Sequence, residues 1–162
     1  MTPKEQKAFD EKMMAIALEE AKTALLEGEA PIGAVIVKDG ELVSTGRNTR
    51  ETKKTALGHA EIEAIANACE KLGSWRLSGC TMYVTLEPCP MCAGAIINAR
   101  IDRVVYGAKD DKAGSMGTLI DLSKVNFNHN PRLTAGVMAD ESAKLLSEFF
   151  SQLRDKEREK DA

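Results

Sequence analysis

Glu87-Pro88-Cys89-Pro90-Met91-Cys92 is the stretch that leaves this chain least freedom. It follows Thr81 to Leu86, which reads as a strand. Pro88 and Pro90 mark a chain entering a helix, since proline is well tolerated at a first helical position. The strand is therefore expected to run straight into a helix. Cys89 and Cys92, three residues apart, fall on one side of a helical turn, so both sulfurs can reach one metal ion. A helix N-terminus lowers a thiol pKa, and the thiolate is the form that binds metal. Alone, this C-x-x-C also fits a redox pair, half of a structural zinc site, or chance.

His59-Ala60-Glu61 adds a third ligand type and a carboxylate. One histidine and two cysteines, with a fourth position left to water, is the pattern of a catalytic zinc site; a structural site normally closes with a fourth protein ligand. Glu61 is then free to move protons. Residues two apart do not share a helix face. His59 and Glu61 are therefore expected at a loop-to-helix junction, from which both side chains turn into one cavity. H-x-E followed by P-C-x-x-C is a signature of zinc-dependent nucleobase deaminases.

The 162 residues are enough for one domain, 1–162, with a sizeable core. At 43% hydrophobic and 29% charged, the composition is that of a globular protein. No apolar run approaches the roughly 18 residues of a membrane span, and no membrane association is expected. Met1 to Asp10 lacks the apolar stretch of a secretory signal. A cytoplasmic, reducing setting follows, where cysteines more often bind metal or catalyse than pair. Cys69 and Cys80 read as small buried hydrophobes. The net charge of −3 argues against a partner gripped by bulk electrostatics. Arg47, Arg50, Lys53 and Lys54 against Glu51 alone read first as a solvated loop, with a local positive patch, joined by Lys109 and Lys112, as the sharper alternative.

Thr2-Pro3-Lys4-Glu5 is a capping box with proline at the first helical position. Phe9, Met13, Ile16, Ala17, Ala21, Ala24 and Leu25 share one helical face, and Gly28 ends that run. Pro31 to Val37 and Leu42 to Thr45 are strands joined at Asp39-Gly40, the strongest short hairpin signal. His59 to Leu72 reads as a helix closed by Gly73, with Ile62, Ile65, Ala66 and Cys69 inward. Ala93 to Ala99 continues the helix of the cysteines. Arg103 to Tyr106 is a strand, Thr118 to Ser123 one helical turn, and Leu133 to Met138 a last strand. Asp140 to about Lys156 is a helix with Leu145, Leu146, Phe149, Phe150 and Leu153 inward, and Asp155 to Ala162 is expected to fray. Strands alternating with helices imply an α/β fold, a three-layer α/β/α domain on a mixed sheet of about five strands. His129, without a metal-spaced neighbour, reads as a structural hydrogen-bonding residue.

With these motifs placed, the chain resembles the bacterial tRNA-specific adenosine deaminases of the cytidine deaminase-like superfamily. The resemblance runs through Pro31 to Val35, Gly46-Arg47-Asn48, His59-Ala60-Glu61 and Tyr83 to Ala95. It continues through Gly107 to Asp110, Gly117-Thr118-Leu119, Asn128-His129 and Leu145 to Phe150. It implies a homodimer that converts adenosine to inosine at the wobble position of a tRNA anticodon loop. It also implies one zinc ion per subunit on His59, Cys89 and Cys92, with Glu61 as proton shuttle. Asn48 then hydrogen-bonds the purine, Asp110 contacts the ribose, Ala60 belongs to the substrate contacts, and Phe149 and Arg154 touch the RNA loop. The zinc motifs specify only the superfamily, so a deaminase of free guanine, cytosine or nucleosides is the nearest alternative. A non-catalytic zinc or redox module is the more distant one.

Overall fold

The computed structural model describes residues 1–161. The Thr2 side chain accepts the Glu5 N–H while Glu5 accepts the Thr2 N–H, so the capping box forms and starts α1, Pro3–Leu26. Its buried face is Met13, Met14, Ala17, Leu18, Ala21 and Ala24; Phe9 and Ile16 sit at the edge of that face. β1, Gly33–Lys38, and β2, Glu41–Arg47, form an antiparallel hairpin. Asp39 and Gly40 both have positive φ, 51° and 76°, the geometry whose twist matches paired strands. α2 is Ala60–Leu72, β3 Cys80–Leu86, α3 Pro90–Asn98 and β4 Arg103–Ala108. A 3₁₀ turn at Leu122–Lys124 precedes β5, Arg132–Thr134, and α4, Ala139–Asp161.

The strand order is β2-β1-β3-β4-β5. β1 is antiparallel to both neighbours, whereas β3, β4 and β5 are parallel. β2 and β3 therefore point the same way, and α2 crosses over β1 to join them. Strand side chains alternate between two cores. Ala34, Ile36, Met82, Val84, Val104 and Tyr106 pack with α2 and α3. Val35, Val37, Tyr83 and Val105 pack with α1 and reach Val137 and Leu145. This is the expected three-layer arrangement on a mixed five-stranded sheet. β1 reads as an unbroken apolar run because both of its faces are covered.

Two close approaches seat the helices. A Cβ on Gly33 would lie 2.0 Å from the Ala17 carbonyl oxygen of α1, and one on Gly46 would lie 2.3 Å from the Ala60 carbonyl oxygen of α2. Each helix backbone thus rests directly on a strand. At the far end of the sheet, Arg103 grips Asp10 with two hydrogen bonds of 2.9 and 2.7 Å, and Tyr83 donates a third at 2.8 Å. This cluster ties α1 to β3 and β4.

Several elements depart from the sequence expectation. In α2 the buried stripe is Ala60, Glu61, Ala64 and Ala68; Ala66 is exposed, and Ile62, Ile65 and Cys69 are only half-buried. Small residues face the sheet because Gly46 brings the helix too close for large ones. The helical turn falls at Leu122–Lys124, not at Thr118, because Met116 and Asp121 pair across a bridge first. The last strand stops at Thr134, and Gly136 turns the chain at φ 82°. α4 continues to Asp161 where fraying was expected, through a run of the good helix formers Lys, Glu and Arg. Only Ser142 of α4 is buried, and Phe150 and Leu153 remain 47% and 39% exposed. Of the stripe expected inward, Leu145, Leu146 and Phe149 are half-buried, whereas Phe150 and Leu153 point to the surface. Among the described residues no helix is long and apolar enough to cross a membrane.

Candidate metal centre and cleft

His59 precedes the first residue of α2, and Cys89 holds the same place before α3. Both have extended backbones, and neither side chain caps its own helix. That leaves both side chains free to turn toward each other. Cys92 lies in the first turn of α3 and is buried. His59 Nδ1 is 3.6 Å from Cys89 Sγ and 3.4 Å from Cys92 Sγ. Within 4.8 Å of one another, these three are the donor group that the described residues offer a metal ion, with no fourth protein ligand joining them. A tetrahedral zinc with nitrogen at ~2.0 Å and sulfur at ~2.3 Å sets the two about 3.6 Å apart. The donors therefore fit such an ion without rearrangement.

The local electrostatics suit a cation. The Cys92 thiol donates to Cys89, which pulls the Cys89 pKa down to about 4 in spite of burial. The same contact pushes the Cys92 thiol up. The Cys89 sulfur in turn raises His59 above the usual imidazole value, against desolvation. Glu61 is only 4% exposed, and burial pushes its pKa up to about 7. These groups share protons that a divalent ion would displace.

A cleft of about 220 Å³ opens beside the three donors, lined among others by Asn48, Arg50, Glu61, Glu87 and Asp110. Asn48 is 4% exposed, and its buried Oδ1 has no hydrogen-bond partner. Leaving such an acceptor unpaired costs about 1–3 kcal/mol, which is tolerable where a ligand supplies the missing donor. Asp110 is half-buried, and its Oδ1 accepts the N–H groups of Lys112 and Ala113. Glu87, assigned no role above beyond its place in the motif, is 2% exposed and takes the N–H groups of Asp110, Met116 and Thr118. No local pattern announces this, because the donors arrive from a loop more than twenty positions away.

With this geometry in place, the likeness to known proteins becomes specific. The profile of the MafB19-like deaminase family matches residues 9–154. A tRNA-specific adenosine deaminase of Bacillus subtilis (strain 168) is 49% identical over 150 residues, which span 92% of this chain and 93% of that protein. The chain belongs to the tRNA-specific adenosine deaminase family. A solved structure from work on A-to-I editing by tRNA:A34 deaminases at the wobble position of transfer RNA is 43% identical, with a TM-score of 0.80 over 83% of this chain and 99% of that one. A guanine deaminase from Nitrosomonas europaea is 26% identical, with a TM-score of 0.70 over 86% of this chain and 83% of that one. The fold thus extends beyond the tRNA-specific adenosine deaminases, while the higher identity lies within them.

Other residues singled out in the sequence lie elsewhere. Ala60 is fully buried under β2 and does not line the cleft. Phe149 packs edge-on against Phe150 at 5.6 Å, and Arg154 is exposed; neither borders the cleft. Of the basic cluster, Arg47 is held by Glu20 and Glu27 and Lys53 by Glu63, while Arg50 lines the cleft. The patch is therefore smaller than its sequence suggests. His129 Nε2 donates to the Ile101 carbonyl at 2.6 Å, the structural role expected of it.

Proposed function

We propose that this protein deaminates adenosine to inosine at the wobble position of a tRNA anticodon, with one zinc ion held by His59, Cys89 and Cys92. The observation that carries the reading is the three-donor group facing a cleft with a buried carboxylate, Glu61, and an unpaired acceptor, Asn48 Oδ1. The 49% identity to the Bacillus subtilis enzyme supports the choice of substrate class.

Zinc in this setting supplies Lewis acidity, lowering the pKa of water to around 7. Glu61 would then act as the proton carrier: its carboxylate takes one proton from the water attacking C6 and passes it to the purine ring nitrogen, then takes the second from the new C6 hydroxyl and passes it to the amino group, which leaves as ammonia as the C6–N bond breaks. Burial keeps the Glu61 proton affinity near neutrality, and a neighbouring cation favours the carboxylate form that must accept first. Asn48 Oδ1 orients the base through a hydrogen bond. Asp110, which also lines the cleft, holds the ribose. The cleft admits one base, so the target nucleotide must leave its stack, which costs little in an anticodon loop. Arg50 and the exposed end of α4, including Phe149 and Arg154, are the proposed RNA contacts outside the cleft.

We further place the protein in the cytoplasm as a homodimer, a single domain over 1–162. Exposed Leu119, Ile120, Val125 and Phe127 support a second copy as the cover for that segment. Sedimentation equilibrium should return twice the chain mass, and a monomer at micromolar concentration would remove this part. For the function itself, zinc-loaded protein is incubated with an anticodon stem-loop carrying wobble adenosine, and in parallel with free guanine, cytosine and adenosine. Inosine in the RNA alone is the expected outcome. Turnover of a free base with none of the RNA would transfer the protein to the free-base deaminases.

A further inference from the structure

We propose that Glu87 is a positioning residue: its buried carboxylate sets the loop 109–118 against the metal centre and so determines how tightly the RNA substrate is held. This rests on the function proposed above.

Glu87 ends the path from β3 to Cys89, two residues before the first sulfur. Its Oε1 accepts the Asp110 N–H at 3.2 Å and the Thr118 hydroxyl. Its Oε2 accepts the N–H groups of Met116 at 3.0 Å and Thr118 at 3.1 Å. Three backbone donors and one hydroxyl thus meet a carboxylate that is 2% exposed. The loop is wrapped tightly: a Cβ at Gly114 would lie 2.6 Å from Glu87 Cδ. Ser115 N–H also donates to the Pro88 carbonyl at 3.0 Å. Asp110 and Ala113 of this loop line the cleft. The distance between the sulfur that would hold the ion and the loop that would hold the nucleotide is therefore set by this side chain together with the Ser115–Pro88 backbone bond.

The segment that follows the cleft residue Arg50 is held in the same way. Glu29, 1% exposed, accepts the Glu51 N–H at 3.0 Å, the Thr52 N–H at 2.6 Å and the Thr52 hydroxyl at 2.5 Å. In both cases an all-acceptor group gathers a loop whose donors all point inward. An amide of the same size fills such a site poorly, because its nitrogen would face an N–H donor and leave it unpaired.

The test compares wild type, Glu87→Gln and Thr118→Val as full-length, zinc-loaded proteins on the stem-loop. It reads KM and kcat separately, zinc content by metal analysis, and amide hydrogen exchange. Glu87→Gln should raise KM about tenfold with kcat within about threefold and zinc content unchanged. Exchange should quicken at Asp110, Met116 and Thr118. Thr118→Val should raise KM in the same direction but less, and the double variant should be no worse than Glu87→Gln alone, because the hydroxyl acts through that carboxylate. A merely structural role would lower the melting temperature without separating KM from kcat. Unchanged KM, a fall in kcat alone, or loss of zinc overturns the inference. Should Glu87→Gln fail to fold, Thr118→Val decides, and an unchanged KM there overturns it equally. If wild type forms no inosine, the functional reading fails, and this inference with it; active wild type with an unaffected variant sinks the inference alone.

Discussion

At the scale of single residues, burial and partners separate roles that the sequence leaves equal. Glu61 and Glu87 are both buried carboxylates beside the donors, yet only Glu87 is saturated with hydrogen bonds from a distant loop. Glu61→Ala should therefore keep the metal and lose activity by roughly 10²–10⁴-fold, the usual scale for an acid-base group. Cys89→Ala should lose the metal itself, and metal analysis distinguishes the two. Asp10 carries a different prediction. Burial opposes its charge, but hydrogen bonds from Arg103, Tyr83 and Gln6 outweigh that and hold its pKa below the ordinary 3.8. The stability this lends is fully present above the unfolded value, near pH 4, and is lost as pH falls through the lower folded value. Asp10→Ala should cost on the order of 3 kcal/mol at neutral pH, because the half-buried Arg103 loses its carboxylate partner and keeps only the Thr134 hydroxyl. Denaturant melts from pH 7 to pH 2 should show the difference from wild type shrinking only at the acid end. His59, Cys89 and Cys92 were legible in the sequence because helix-start chemistry and i, i+3 spacing are local. Asn48 was reached only through the family resemblance, and neither its unpaired Oδ1 nor the anchoring role of Glu87 was legible, since both depend on contacts made across the fold.

At the scale of elements, the periodic patterns identified nearly every helix and strand, and the errors share one cause. Periodicity gives the apolar face of a segment but not the surface available to cover it. α2 turns alanines rather than isoleucines inward because a strand glycine admits its backbone. α4 displays Phe150 and Leu153 because the sheet does not reach them. From Ser151 to Asp161 every residue of α4 is exposed. Removing residues 154–161 should thus leave the thermal midpoint within about a degree or two, since no buried contact is lost. It should weaken stem-loop binding if the end of α4 meets RNA as proposed. Calorimetry and a titration with labelled stem-loop measure the two effects; equal RNA affinity would withdraw the α4 contact.

At the scale of the whole molecule, the donors come from two helices seated independently on one sheet. The donors are therefore expected to stay in place without an ion, unlike those of small zinc modules that fold only on binding metal. Chelation should abolish activity while the far-ultraviolet circular dichroism and a single cooperative unfolding transition persist. Returning zinc at 100 times its dissociation constant should raise stability by about 2.7 kcal/mol. An apo chain that unfolds would show that the sheet alone does not hold the site.

Gly33 and Gly46 stand on neighbouring strands, where Ala34 pairs with Gly46 and Gly33 with Arg47, and each admits a helix backbone from the opposite side. Only one of those helices brings chemistry with it. An added methyl at either position would lift a helix away from the strand beneath and weaken the fold. At Gly46, however, the lifted helix carries His59 and Glu61 with it, so Gly46→Ala should also loosen the hold on zinc, whereas Gly33→Ala should melt earlier yet bind the ion as before. Two missing methyl groups, back to back, thus act as separate adjusting screws, one for endurance and one for the reach of an imidazole.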